Sequence, residues 1–481
     1  MSKLKQKVQQ DFIEKTGVTF SFDTTKLESN PLPAKKPFNR KRLLLIVPSA
    51  IVVSLVLVVG AVTLSALLTT NESVRLTRKK YSAEEIVVIE SNTFKRLNTI
   101  NYPLLTGSRY VAMNENEITH YNEFANKIYQ ALDFKENTTF APVNLYPLLS
   151  ALAMGTSSAE LETSFAALFG NLNESNRTTL YQKIFKNNYY HNELGSSFLH
   201  NGAFVNHEVG FKEDYLNKLT AHMFEAFSLD YTSEQDIRKM MTWINDAMQE
   251  EDFLKRGDLD ITPNTLLYLF STFLFSNQWT NKYYENANTN APFLLKDGNK
   301  TNTKFMTHTY FGTYFDYPNY VSVYDYYTNE NYVQYLVPKT HNDNIYDLLG
   351  NTNFLFETGE EHNLQTIELT APIFTTKSII DFENPLTKLG LGDMFDAEQD
   401  SFRDMFLNEP LTTYVDSVIQ KNEISFNVDG TTIKSLAFAG AKSAAPFGDT
   451  LEVHLDQPFI YVIRDINNIP LFIGQYDNPN K

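Results

Sequence analysis

The sequence predicts an α+β protein with large sheets, and three observations carry the prediction. Helical periodicity begins at Glu117 and ends at Leu254. From Thr303 onward short β-type runs dominate. No regular alternation of strand and helix joins the two regions, which argues against a parallel α/β sheet. With 481 residues, 42% of them apolar and 14% aromatic, the chain can bury a large core.

Taken in order, the elements begin with a basic tail. Residues 1–42 carry ten Lys/Arg against four Asp/Glu, a balance of +6. LLLIVPSAIVVSLVLVVGAVTLSALL (Leu43–Leu68) follows, 26 residues without a charge. At about 1.5 Å per residue it crosses a hydrocarbon core of roughly 30 Å with some tilt. Buried core helices rarely lack a polar face for so long, and a cleaved signal peptide has shorter basic and apolar regions. A transmembrane helix is therefore expected over 43–68. KKPFNRKR before the span outweighs RLTRKK after it, so the positive-inside tendency puts the N-terminus in the cytoplasm. The chain then crosses the cell membrane once, with residues 69–481 outside. That part carries 31 basic against 53 acidic residues, or −22. Asn71, Asn137, Asn173, Asn176 and Asn299 head Asn-x-Ser/Thr sequons, which matter in a host that glycosylates.

Residues 69–104 are polar and charged and read as a spacer, with one short helix or strand at EEIVVI. A helical face follows in which Phe124, Ile128 and Leu132 recur at spacing four. TFAPVNLYPLLSALAMGTSSAELETSFAALFG predicts two apolar-faced helices around a GTSS break. Tyr181–Lys186 and Phe211–Met223 predict further helices, with a strand at SFLHNGAFVN between them. Met240–Leu254 has a helical face. LLYLFSTFLF is one continuous apolar run, as a buried central strand is. YVSVYDYY, VQYLVP, TIELTAPIF, TYVDSVIQKNEISFNV, LEVHL, PFIYVIRD and PLFIGQY complete the strands. No repeat of 20–50 residues is present.

Composition excludes several chemistries. The acidic balance argues against a nucleic-acid partner, which calls for basic faces. With no cysteine there is no disulfide, thiolate nucleophile or zinc-thiolate site. G-x-S-x-G and H-E-x-x-H are absent. The S-x-x-K at Ser2–Lys5 and the K-T-G at Lys15–Gly17 both fall in the basic tail, on the wrong side of the membrane for a cell-wall transpeptidase. LGLGDMF lacks the third glycine of a dinucleotide loop and reads as a helix end. The nine histidines show no pair at ligand spacing. The chain is expected to be no enzyme, with no catalytic residue, metal or cofactor.

PFIYVIRD (Pro458–Asp465) followed by PLFIGQYDNP (Pro470–Pro479) resembles the closing signature of serpins, a PF-x-F-x-I-R-D strand and an LF-x-G-x-x-x-NP strand. TYVDSVIQKNEISFNVDG (Thr413–Gly430) is similar to the family's V-x-x-x-V-x-Q/H-K element and its glycine hinge. NTTFAPVNLYPLLSALAM (Asn137–Met154) is similar to the N-x-x-FSP-x-S-I helix start, NGAFVN (Asn201–Asn206) to the N-A-L-F-V strand, and LLYLFSTFLFSNQW (Leu266–Trp279) to the strand ending in Y-F-K-G-x-W. The blocks stand in family order over residues 105–481. The resemblance implies about nine helices and three β-sheets behind the transmembrane helix. It implies a suicide-substrate inhibitor of serine proteases, whose cleaved loop enters the main sheet as a new strand. The alternative is a non-inhibitory surface binding protein of the same fold.

On that resemblance FNVDGTTIKSLAFAGAKSAAPFGDTLEV (Phe426–Val453) holds the inserting loop, with a hinge at Val428, Asp429, Gly430, Thr431, Thr432 and Ile433. Strand side chains alternate faces. Thr431, Ile433, Ser435, Ala437, Ala439 and Ala441 are small or apolar throughout, fit for the inward face. The other set holds Lys434 and Lys442. Counting from Gly430 at the family's spacing gives a reactive bond at Ala444–Ala445; counting back from Pro458 gives Phe447–Gly448. Ala444 suits an elastase- or subtilisin-like protease and Phe447 a chymotrypsin-like one. The sequence departs from the pattern at several points. Val428 stands where an acidic residue is usual, and IKSL where alanines are. Ala141 and Asn144 replace serines, and Ser271 replaces an asparagine. Bulk at Ile433 and Leu436 is expected to slow insertion.

Overall fold

The structure, a computed structural model, describes residues 92–105, 110–132, 137–283, 289–341, 343–349, 353–408, 410, 412–432 and 450–480. The chain divides into a unit Met1–Arg75, none of it described, and a unit Leu76–Lys481 that holds every element below. Leu43–Leu68 and EEIVVI thus lie outside the described residues; within those, no helix is long and apolar enough to cross a membrane.

Local chemistry sets the helix limits. Asn114 opens α1 (Glu115–Ala131) with a reciprocal capping box to Glu117, and Tyr121, Phe124 and Ile128 form its buried face. Pro142 starts α2 (Pro142–Gly155), buried almost all round. After Thr156 and Ser157, Ser158 caps α3 (Ala159–Leu168). Asn173 caps α4 (Glu174–Asn187). α5 (Glu213–Ala221) follows. α6 spans Glu234–Ala247, six residues earlier than the apolar face suggested. Ser233 caps it, Glu234 and Asp236 sit at its positive end, and Gln249 turns to φ 53 beyond it. α7 (Ile345–Leu349) and α8 (Glu383–Leu386) are short, and Gly390, at φ 83, closes the turns after α8 where LGLGDMF lies.

The first sheet runs in the order β1 (Lys95–Arg96), β5 (Phe224–Leu229), β4 (Gly195–Asn206), β6 (Leu267–Gln278), β14 (Gly430–Thr432), β13 (Ile419–Asn427), β12 (Phe374–Asp381), with β3 (Tyr190–Asn192) also on β4. The second runs β15 (Thr450–His454), β11 (Glu360–Pro372), β8 (Lys300–Asp316), β9 (Tyr320–Tyr326), β10 (Tyr332–Pro338), β16 (Phe459–Arg464), β17 (Pro470–Tyr476), β2 (Thr139–Phe140), with β7 (Thr289–Leu294) on β8. β16 and β17 are buried along their whole length, which explains their continuous apolar runs. Phe374, Phe426 and Tyr461 meet between the sheets, with ring centroids 4.7 to 5.8 Å apart. Phe94, Phe204, Phe227, Ile237, Met240 and Trp243 form a separate core beneath α6.

Among the described residues there are eight α-helices, against about nine expected for the whole domain, and one expectation is corrected: the strands form two hydrogen-bonded sheets, not three. The 17-residue β8 ladders with β7 and β11 and then with β9, so it fuses what the resemblance separates. The spacer reading of 69–104 also needs amending at its end. Phe94 and Ile100 are buried against the fold and Lys95–Arg96 pair with β5.

Candidate functional site

The site is where β13 turns back on itself between two strands. The carbonyl oxygen of the Asn427 side chain accepts the Asp429 N–H at 3.0 Å, tightening the turn through Val428 and Asp429. β14 then returns as a third strand. Thr431 lies opposite Phe426 of β13 on one side and Asn277 of β6 on the other. Gly430 must be glycine here: a Cβ would sit 2.0 Å from the Asn277 carbonyl oxygen, inside any tolerable contact.

Trp279 holds the turn from β6. Its backbone N–H donates to the Asp429 carbonyl at 3.1 Å and its indole N–H to the Asn427 carbonyl at 2.8 Å. Its ring stacks on Tyr327, centroids 4.5 Å apart. Tyr327 in turn donates its hydroxyl to Thr431 Oγ1 at 2.6 Å. Thr431 is completely buried and Tyr327 nearly so. Burial pushes the Tyr327 phenol well above its ordinary range, so it stays a donor. Thr431 therefore sits as a bonded plug in the top of the sheet, and its withdrawal leaves a buried hydroxyl without a partner.

Below this plug, among the described residues, no ladder joins β6 to β13. The walls of the slot alternate. Gln420, Asn422, Ile424 and Phe426 of β13 are buried, whereas Ile419 and Lys421 are exposed. Phe273, Phe275 and Asn277 line β6 on the same inner side. Beneath lies a polar floor. Gln420 grips the first turn of α2 through both faces of its amide, accepting the Ala141 N–H and donating to the Ala141 carbonyl, each at 2.8 Å. Ala141 offers no side-chain cap to the helix, and the Gln420 amide fixes its backbone instead. Asn422 and Ser378 both donate to the Thr139 carbonyl at 2.8 Å, and Thr139 Oγ1 lies 2.6 Å from the Tyr461 hydroxyl. Burial raises the Tyr461 phenol to about 12. Ser271 Oγ and Asn144 Oδ1, at the two other departures from the pattern, are buried without partners.

Of the residues singled out in the sequence, Val428, Asp429, Gly430 and Thr431 come together at the turn, with Thr432 continuing the strand. Ile433, Ser435, Ala437, Ala439, Ala441, Ala444, Ala445, Phe447 and Gly448 lie outside the described residues, in the 17 positions 433–449 between β14 and β15. Sequence reasoning passed over Tyr327, Asn277, Gln420 and Thr139. Tyr327 follows a strand already rich in tyrosine, so nothing local marked it. Among the described residues no group of three or more metal-ligating side chains is present.

Comparison with known proteins bears on this geometry. The family model described as "Serpin (serine protease inhibitor)" matches residues 119–479. Plasminogen activator inhibitor 1 of Mus musculus is 23% identical over 408 residues, covering 78% of this chain and 96% of its own. Leukocyte elastase inhibitor of Sus scrofa is 23% identical over 380 residues, covering 74% and 97%. The crystal structure of the thermophilic serpin tengpin in its native state superposes with a TM-score of 0.67 at 19% identity, over 80% of this chain and 100% of that one.

Proposed function

The chain belongs to the serpin family, and on that premise we propose that it inhibits serine proteases from the outer face of a cell membrane. The observation that carries the reading is Thr431, buried and hydrogen-bonded between β6 and β13 with the slot continuing below it. A protease serine attacks the carbonyl carbon of the bait residue; the new ester bond forms, the peptide bond breaks, and the released amine leaves with a proton. The freed chain then follows β14 into the slot.

The register of β14, continued, supports this path. Ile433 comes opposite Phe275 and Ile424, Ser435 opposite Phe273 and Asn422, and Ala437 opposite Ser271 and Gln420. Ala439 then meets Leu269 and Val418, and Ala441 meets Leu267 and Asp416. The small set thus turns toward the buried face, and Lys434 comes beside Glu423 on the outer one. β6 ends opposite Ala441, so Ala444–Ala445 lies three residues past the slot and Phe447–Gly448 six. The shorter overhang favours Ala444–Ala445. Uptake adds a strand's hydrogen bonds and buries the inner face, which drives a kinetically trapped state downhill. The partners are elastase- or subtilisin-like proteases, with a chymotrypsin-like enzyme as the alternative for Phe447. Leu43–Leu68 supplies the membrane anchor.

One observation favours the second reading, a non-inhibitory surface binding protein: Ile433 needs room between Phe275 and Ile424, both already buried. Incubation with elastase-, subtilisin- and chymotrypsin-like proteases separates the two. An inhibitor gives an SDS-resistant complex and a released C-terminal peptide beginning at Ala445. A binding protein gives a clipped loop and a free, active protease. Resistance of the chain to carbonate extraction, with residues 92–480 accessible from outside intact cells, tests the anchor.

A further inference from the structure

α6 and the connection that follows it are fastened to β4, β5 and β6. Ile237, Met240 and Trp243 of α6 share one core with Phe204 of β4 and Phe227 of β5, and Tyr268 and Phe270 of β6 pack against it. The Trp243 indole N–H donates to Glu225 of β5 at 3.0 Å. The Asn245 amide then pins the connection to α6: it donates to the Glu251 and Leu254 carbonyls at 2.7 and 3.2 Å and accepts the Leu254 N–H at 2.8 Å. Tyr268 of β6 holds the far end, donating to the Asp260 carbonyl at 2.9 Å. Since β4 is laddered to β6 over eleven pairs and to β5 over six, all of this lies on one side of the slot.

Lys421 belongs to the other side. It stands on the exposed face of β13, which is laddered to β12 and bonded through Asn422 to Thr139 of β2. Its Nζ donates to the Phe253 carbonyl at 2.7 Å, lies 3.4 Å from the Asp258 carboxylate and sits 5.4 Å from the centre of the Phe253 ring. This side chain therefore joins β13 to the α6 connection across the outer mouth of the slot. A strand that continues the β14 register passes between Lys421 and Thr272. At that level it needs two strand spacings, roughly 9–10 Å, between β6 and β13, and its outward side chain rises where the lysine arm crosses. We propose that Lys421 is a latch, a positioning residue whose bond to the Phe253 carbonyl must be released before a strand can pass, and which so sets the rate of loop uptake. The carbonyl carries most of the effect, because a short charge-assisted bond outweighs a part-exposed ion pair at 3.4 Å. The inference rests on the loop-insertion reading above.

The test adds an excess of a synthetic peptide with the sequence of residues 433–444 to the full chain, without protease, and follows its uptake as a rise in melting temperature. Lys421→Met keeps the apolar stem and removes the donor; the side chain is 38% exposed, so the core stays in place. It is expected to take up the peptide about tenfold faster than the parent. Lys421→Arg, which keeps charge and donors, should stay near the parental rate, and Asp258→Asn should gain about two- to threefold. Lys377→Met is the control: it removes an ion pair to Glu423 at 3.0 Å that lies wholly on the β12–β13 side, and it should match the parent. A Lys421→Met rate equal to that of the parent, of Lys421→Arg or of Lys377→Met overturns the latch alone. If neither the parent nor Lys421→Met takes up peptide, the loop-insertion reading falls with it.

Discussion

Thr431→Arg puts a charge at the buried middle position of β14, the part of the loop already inside the sheet. Thr431 has no exposed surface, its hydroxyl is 2.6 Å from Tyr327, and Phe426 and Asn277 flank it at strand spacing. Burying a guanidinium there without a carboxylate costs several kcal/mol. The charged side chain is expected to hold this turn out of the sheet in the uncleaved molecule, so uptake must bury it, and about 4 kcal/mol added to the insertion barrier slows uptake roughly a thousandfold. Hydrolysis of the acyl-enzyme is unchanged, so if the parent inserts about ten times faster than it hydrolyses, the variant traps about one protease in a hundred cleavages. Titration of an elastase-like protease, with complex and clipped inhibitor resolved on denaturing gels, reads that ratio directly. Thr431→Val provides the graded control: it keeps the volume but leaves the Tyr327 hydroxyl without an acceptor, a loss of about 1–3 kcal/mol. Its trapping should fall between parent and Thr431→Arg. If Thr431→Arg traps protease mole for mole like the parent, the buried hinge has no part in capture and the argument fails.

Gly430→Ala brings a methyl to 2.0 Å from the Asn277 carbonyl, so β14 should leave the slot; limited proteolysis near Thr432 should become much faster while secondary structure by circular dichroism stays the same. Burial lowers His200 to about 4 and His222 to about 3. Because these folded values lie below the ordinary histidine value, the unfolded chain binds the extra protons first, and stability present above about pH 6.5 is lost as pH falls toward 4 and then 3. His200→Gln should flatten the decline in urea midpoint between pH 6.5 and 4; an unchanged slope would refute the assignment. Buried Asp465, raised to about 6, acts in the opposite sense, with stability lost as pH rises through about 6. In a glycosylating host, exposed Asn299 should carry sugar, whereas Asn137 should remain bare. The Asn137 side chain is buried, accepting the Asp477 and Asn478 N–H groups and donating to the Asn478 carbonyl. A glycan mapped to Asn137 by mass spectrometry would contradict that packing.

Much of the architecture was legible because it is written in local periodicity. The repeat of Phe124 and Ile128 marks α1, and the GTSS break falls between α2 and α3. The apolar runs PFIYVI and PLFIG mark strands buried on both faces. Local pattern misled where a charged capping turn preceded the apolar face, as in EQDIRK at the start of α6. It misled again where polar residues bond sideways to a distant strand, as Asn98 does to β5.

Sequence alone was enough to mark an α+β fold and the serpin resemblance, since both are carried by short runs of neighbouring residues. Only the tertiary structure decided that Tyr327 meets Thr431 across 104 residues, that the Asn277 carbonyl leaves Gly430 no room for a side chain, and that Tyr102 reaches Glu225. Those contacts follow from strand register and sheet order, which bring distant residues within a few ångström and which no short stretch of chain specifies.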